Sequence, residues 1–183
     1  MMRRAILLIC LLTALSAGGV APQAGRELPR ADTVVRPLGY VSLEPVPRGR
    51  SFEVAVVAEI MQGFHINANK VLEDYLIPTM VEADPPKGLR LAEIVYPKGT
   101  LRKFEFADQK MAVYDGSVTI RLKLAAQADA PLGELKLPLT LRYQACNDKA
   151  CLPPVRKTLS VNLQVAAAGT NARAVNTEIF QKK

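Results

Sequence analysis

The chain has 183 residues, with 24 Lys and Arg against 17 Asp and Glu, for a formal net charge of +7. That length suits one domain with a real core. The basic residues are dispersed rather than blocked, so the excess charge reads as a solvated surface and excludes a nucleic-acid footprint.

Residues 1–21 have the outline of a secretory signal. Arg3 and Arg4 form a basic start, Ala5 to Leu15 is apolar apart from Thr13, and the small residues Ser16, Ala17, Gly18 and Gly19 follow. The apolar run is shorter than the about 20 residues a membrane-spanning helix needs. Cleavage is expected after Ser16 or Ala21. It would remove Cys10 with the leader, lower the charge from +7 to +5, and place the mature protein in the periplasm or outside the cell. No later stretch is apolar for long enough to insert stably in a membrane.

Residues 22–33, rich in Pro, Ala, Arg and Gly, read as a flexible lead-in. Val34 to Leu43 is a first strand, interrupted by Pro37. After the turn at Pro45–Gly49, Phe52, Val54, Val56, Ala58 and Ile60 alternate with Glu53, Ala55, Val57 and Glu59, the period of a strand with one buried face. Gly63 to Lys70 is a loop or strand end that carries the only histidine, His65. Leu76 to Glu82 is extended, with Pro78 favouring an edge, and Leu89 to Val95 is a further strand. Phe104 and Phe106 stand in a charged segment. Met111 to Tyr114 is a short strand, Asp115-Gly116 a turn signal, and Val118, Ile120, Leu122 and Leu124 mark another strand.

Leu135, Leu137, Leu139, Leu141 and Tyr143 then alternate with polar residues or Pro138, as do Leu159, Val161, Leu163 and Val165 with Ser160, Asn162 and Gln164. After Val165 the pattern fades into a tail, residues 166–183, with a helical turn near Thr177 to Gln181. About seven or eight short strands between Pro and Gly turns predict an all-β sandwich over residues 34–165.

Between the last two strands lies Tyr143-Gln144-Ala145-Cys146-Asn147-Asp148-Lys149-Ala150-Cys151-Leu152-Pro153-Pro154. It holds the two cysteines that outlive the leader, and Asn147 and Asp148 suit a turn between them. The thiols therefore sit on one loop within pairing reach. One reading is a static structural disulfide, common in exported proteins. The other is a redox pair that opens and closes, with Lys149 inside the loop and Arg142, Arg156 and Lys157 flanking it as thiolate-favouring charge, against Asp148. A ring of six residues constrains the unfolded chain by only about 2 kcal/mol, which makes it a weak staple.

Other chemistry has less support. Two cysteines and one histidine do not make a closed zinc site. A soft-metal site, such as a copper carrier would need, would draw on Cys146, Cys151 and one or two of Met61, Met80 and Met111, but strand methionines usually fill cores. A lone His65 reads as structural rather than as the partner of a nucleophilic cysteine.

Three segments in register resemble the periplasmic amino-terminal domain of the DsbD family of thiol:disulfide interchange proteins. They are the cysteine segment Tyr143–Pro154, Phe64-His65-Ile66-Asn67-Ala68-Asn69-Lys70 followed by Leu76-Ile77-Pro78-Thr79, and Lys110 to Gly116 with Val113-Tyr114. The likeness runs over residues 34–165. It implies an immunoglobulin-like sandwich and a thiol:disulfide oxidoreductase of the protein-disulfide reductase type. No cofactor is implied beyond the redox-active disulfide. Cys151 matches the cysteine that forms the mixed disulfide with partners, and Cys146 the one that resolves it. The implied partners are thioredoxin-fold proteins: a periplasmic disulfide isomerase, a cytochrome c maturation thiol protein and a DsbD-type membrane reductase. An aromatic loop covers the pair in that family, and Phe104 or Phe106 is the counterpart here. The cysteine spacing is one residue shorter than in the best-known member. The chain also ends where the membrane and carboxy-terminal domains of full DsbD begin, so electrons are expected from a separate chain. A non-catalytic binding or assembly domain with a structural disulfide is the alternative.

Overall fold

The structure, a computed structural model, describes residues 28–181. The expected leader, with Cys10, and most of the lead-in lie outside those residues. A 3₁₀ turn (Ala31–Thr33) opens the described chain. The strands that follow are β1 (Val35–Val41), β2 (Leu43–Glu44), β3 (Val46–Pro47), β4 (Ser51–Ile60), β5 (His65–Asn67), β6 (Met80–Ala83) and β7 (Leu89–Val95). Next come β8 (Thr100–Arg102), β9 (Met111–Tyr114), β10 (Ser117–Ala126), β11 (Gly133–Tyr143), β12 (Ala145–Cys146), β13 (Val155–Ala166) and β14 (Arg173–Ala174), then a one-turn helix α1 (Thr177–Phe180).

Two four-stranded sheets form the sandwich, in the orders β1-β4-β10-β7 and β3-β13-β11-β6. All their pairings are antiparallel except the short parallel contact of β3 with β13. The strict alternation of the sequence explains the packing. Val54, Val56, Ile120, Leu122 and Leu124 from the first sheet share one buried core with Leu137, Leu139, Leu141, Val161 and Leu163 from the second. The molecule is thus an all-β, immunoglobulin-like sandwich, as the residue pattern and the resemblance imply.

Two expectations change in detail. Pro37 does not interrupt β1. The strand runs through it, opposite Ala58, because β1 lies at a sheet edge, where proline is tolerated. The strand over residues 51–60 is also buried on both faces, since Ala55 and Val57 are covered as well. The chain after β13 comes back to this sheet. Residues 173–180 return across this sheet: β14 pairs with β2, Asn176 Nδ2 donates to the Val41 carbonyl at 2.9 Å, and Arg121, opposite Ala55, donates to the Phe180 carbonyl at 3.3 Å.

A third sheet, β12-β5-β9-β8, leaves one end of the sandwich and carries the cysteines. The loop or strand end read at Gly63–Lys70 is in fact a three-residue strand, β5, held by β12 on one side and β9 on the other.

At Gly39 the first sheet packs tightly against the second. A Cβ there would lie 2.4 Å from Val161 Cγ2, and a β-branched neighbour has little freedom to turn away. Gly39→Ala should therefore destabilise the fold by about 1–3 kcal/mol, read as a lower denaturant midpoint with an unchanged slope.

Candidate functional site

The eleven register pairs of β11 with β13 end at Tyr143 opposite Val155. Beyond them the chain leaves the sandwich and enters the third sheet. Tyr143 fixes the point of departure. Its ring is fully buried, and its hydroxyl donates to the Ala31 carbonyl at 3.0 Å, tying the cysteine arm to the 3₁₀ turn. Lys157 reinforces that tie by donating from Nζ to the Asp32 and Val35 carbonyls.

Residues 144–152 form a small hairpin of their own. Asn147 N donates to the Ala150 carbonyl, and Asn147 Oδ1 accepts from the amides of Lys149 and Ala150 at 2.9 and 2.8 Å. Leu152 N donates to the Ala145 carbonyl, and Gln144 Nε2 to the Leu152 carbonyl. The turn expected from Asn147 and Asp148 is thus made by the Asn147 side chain, while Asp148 is exposed. The hairpin sets Cys146 opposite Cys151, and the two are joined by a disulfide with their Cα atoms 3.9 Å apart.

The two sulfur-bearing residues have different surroundings. Cys146 has no exposed surface, whereas Cys151 is exposed and is followed by the exposed Pro153 and Pro154. Of the flanking cations, Lys149 stands in the loop. Arg156 forms a two-pronged ion pair with Glu82, and Lys157 is spent on the backbone carbonyls just described. The expectation of four basic residues around the sulfurs therefore narrows, because two of them have other partners.

The Phe64–Lys70 segment explains itself by period. Ile66 and Ala68 point into the main core, while His65, Asn67 and Asn69 point the other way. The asparagines fasten residues 77–79. Asn67 Nδ2 donates to the Ile77 carbonyl at 3.0 Å, Asn69 Nδ2 to the Thr79 carbonyl at 3.2 Å, and Thr79 Oγ1 back to the Asn67 carbonyl at 2.6 Å. His65 lies directly across from Cys146 in the β5–β12 ladder. Residue type alone reads this histidine as structural; only strand register sets it opposite Cys146, and no local pattern in the chain encodes that register.

An aromatic stack closes the His65 side. Phe104 lies against the imidazole with ring centres 4.1 Å apart, and Phe106 stacks on Phe104 at 5.4 Å. Phe104 is the inner ring, buried with Leu76, Met111 and Val113 in a separate small apolar cluster; Phe106 is the outer, exposed one. Lys103 pins the loop by donating to the Ala107 and Asp108 carbonyls. Beside the stack, Phe64, His65, Arg102, Asp115 and Asp148 line a cleft of about 370 Å³.

The three methionines considered for a soft metal occupy separate places. Met111 lies under Phe104, Met80 is in β6 of another sheet, and Met61 is exposed after β4. Among the described residues no group of three or more His, Cys, Asp or Glu side chains is arranged to hold a metal. No helix among them is long and apolar enough to cross a membrane.

Comparison with known proteins gives one family. The family model for the amino-terminal part of the thiol:disulfide interchange protein DsbD matches residues 41–163, well over half of the chain. Among solved structures, the reduced DsbD amino-terminal domain of Neisseria meningitidis is 19% identical, with 78% of this chain and 91% of that one covered and a TM-score of 0.45. The amino-terminal periplasmic domain of ScsB from Proteus mirabilis is 12% identical at a TM-score of 0.50, covering 75% of this chain and 49% of that one. No curated protein matches significantly.

The arm that carries the cysteines also has a pH signature. The Tyr143 phenol is pushed up to about 12, first by burial and then by the charge of Asp32. An unfolded tyrosine titrates near pH ~10. Between those values the unfolded chain has lost a proton that the native state keeps, so stability falls as pH rises through that window. Tyr143→Phe should flatten the fall between pH 10 and about 12 in denaturant titrations, while removing about 1 kcal/mol near neutrality through loss of the bond to Ala31.

Proposed function

The chain belongs to the family of DsbD amino-terminal domains, and from that premise we propose that it relays reducing equivalents between thioredoxin-fold proteins through Cys146 and Cys151. The observation that carries the reading is the unequal exposure of two bonded cysteines. An exchange disulfide needs one sulfur that an incoming thiolate can reach and one that leaves into the protein. Cys151 is exposed and Cys146 is buried, which suits Cys151 as the site of the mixed disulfide and Cys146 as the resolving residue. The small loop argues in the same direction, since a bridge across six residues stabilises a fold by only about 2 kcal/mol.

In the reductive direction the domain accepts two electrons. A donor thiolate attacks Cys151 Sγ, the bond to Cys146 breaks, and Cys146 leaves as a thiolate that takes up a proton. The donor's second thiol then attacks its own mixed-disulfide sulfur and releases reduced Cys151. Two electrons pass from donor to domain, and the reverse sequence passes them to an acceptor disulfide. Partners with a thioredoxin-type dithiol suit this chemistry: a disulfide isomerase, a cytochrome c maturation thiol protein, or a DsbD-type membrane reductase as donor. The working compartment would be the periplasm, reached by the leader at residues 1–21. The aromatic stack of Phe104 and Phe106 would move aside when such a partner docks.

A trapping experiment tests the assignment. With Cys146→Ala, the mixed disulfide on Cys151 cannot be resolved from within the domain. A covalent complex with a periplasmic thioredoxin-fold protein is expected on a non-reducing gel, and it should be absent with Cys151→Ala. Failure to trap any such protein, or equal trapping through either cysteine, would contradict the reading.

A further inference from the structure

We propose that His65 is the proton acceptor for the Cys146 thiol when that thiol attacks the mixed disulfide on Cys151. The proposal rests on the exchange reading above and adds a third reacting residue to it. Three observations support it. First, His65 and Cys146 are directly opposed in an antiparallel ladder, which puts their side chains on one face with Cβ atoms about 4.5–5.5 Å apart. Second, His65 is only 2% exposed, yet its Nε2 is buried without a hydrogen-bond partner. A buried polar atom left unpaired carries a penalty of about 1–3 kcal/mol, so its presence needs a reason. In the disulfide form Cys146 has no proton to share, and a nitrogen waiting for one would be unpaired. Third, the imidazole is held by its stack on Phe104, which fixes the ring plane without using either ring nitrogen.

The chemistry needs such a group. A free thiol titrates near pH ~8.5, and apolar burial raises that value. Buried Cys146 would therefore be protonated when it has to act as a nucleophile. With His65 beside it, the Cys146 proton passes to the imidazole as Cys146 Sγ bonds to Cys151 Sγ. The bond from Cys151 Sγ to the partner sulfur breaks, and the partner leaves as a thiolate. The imidazolium returns its proton to that thiolate or to water. The two cysteines lose two electrons and the partner's disulfide gains them. In the opposite direction the imidazolium protonates Cys146 as it departs.

The surroundings of His65 fit both states. Burial, the largest influence, pushes its pKa below the ordinary value and keeps the base form populated at neutral pH. The charged groups that face it come from three places. Asp148, on the cysteine hairpin, favours the imidazolium; Arg102, on β8, opposes it; Asp115, after β9, favours it. Arg102 and Asp115 pair with each other at 3.0 Å, which leaves Asp148 as the carboxylate that stabilises the transient cation.

Stopped-flow oxidation of the reduced protein by dithiobis(nitrobenzoate) separates the two sulfur steps. The first thionitrobenzoate released reports the mixed disulfide on Cys151 and serves as the internal reference for each variant. The second reports attack by Cys146. With His65 as acceptor, the wild-type second release is expected to be nearly flat between pH ~7 and ~8. A thiol acting unaided would instead speed up about tenfold per pH unit below its pKa. His65→Gln should slow the second release at pH ~7 by about 100-fold or more relative to the first, and restore the steep rise. The proposal is overturned by a steep wild-type profile, or by a folded His65→Gln protein with the wild-type ratio and slope. If His65→Gln does not fold, the wild-type profile decides alone. The two levels of the account fail differently: one equivalent released by the wild type overturns the exchange reading and this proposal together. Two equivalents with a steep profile overturn only the role of His65.

Discussion

Two residue pairs, Ala145 with Ile66 and Cys146 with His65, hold the cysteine hairpin to the body of the protein. Everything specific about the site follows from that short ladder. On one face it delivers Ala145 and Ile66 to the main core, so the hairpin is anchored by apolar packing as well as by backbone bonds. On the other it sets Cys146 opposite His65, whose ring stacks on Phe104. A slip of one residue would exchange the faces and send Cys146 into the core. The asparagines of the same segment, by fastening residues 77–79, keep β5 from sliding.

The sandwich behind this ladder is an ordinary solution to burying alternating strands, and it was the legible part of the chain. Residues 118–124, 135–143 and 159–165 carry a period of two, residues 52–60 carry it apart from the apolar Ala55 and Val57, and each is a strand in the structure. What could not be read was set by tertiary pairing. Strands β12 and β5 have two and three residues, too few to display a period, and β8 is exposed at every position. Ala55 lies opposite Arg121, which bonds to a returning carboxy-terminal segment that no local pattern predicts. The cysteine pair could be found from spacing and turn chemistry, and the family from three motifs in register. The placement of His65 could not, because it depends on which strand pairs with which.

The difference between the sulfurs has the same origin. Cys146 is the last residue of β12, paired to His65 of β5, whereas Cys151 is on the returning arm beyond the turn, two residues before two exposed prolines that cannot donate backbone hydrogen bonds. In the proposed exchange, burial of one member would give direction: a partner would bond to Cys151, while Cys146 would make and break only the internal bond. Burial also creates a need for proton transfer, since a thiolate formed away from water must be neutralised. The fold places His65, whose buried Nε2 is unpaired, directly opposite Cys146 in the ladder.

The central claim is that the Cys146–Cys151 bond is made to be exchanged. Its reduction potential tests that most directly, measured by equilibrating the purified domain in graded thiol–disulfide buffers and quantifying the reduced fraction. The account predicts a potential above about −300 mV, in the range of disulfides that turn over. A value well below that, as for bridges that resist reduction, would contradict it.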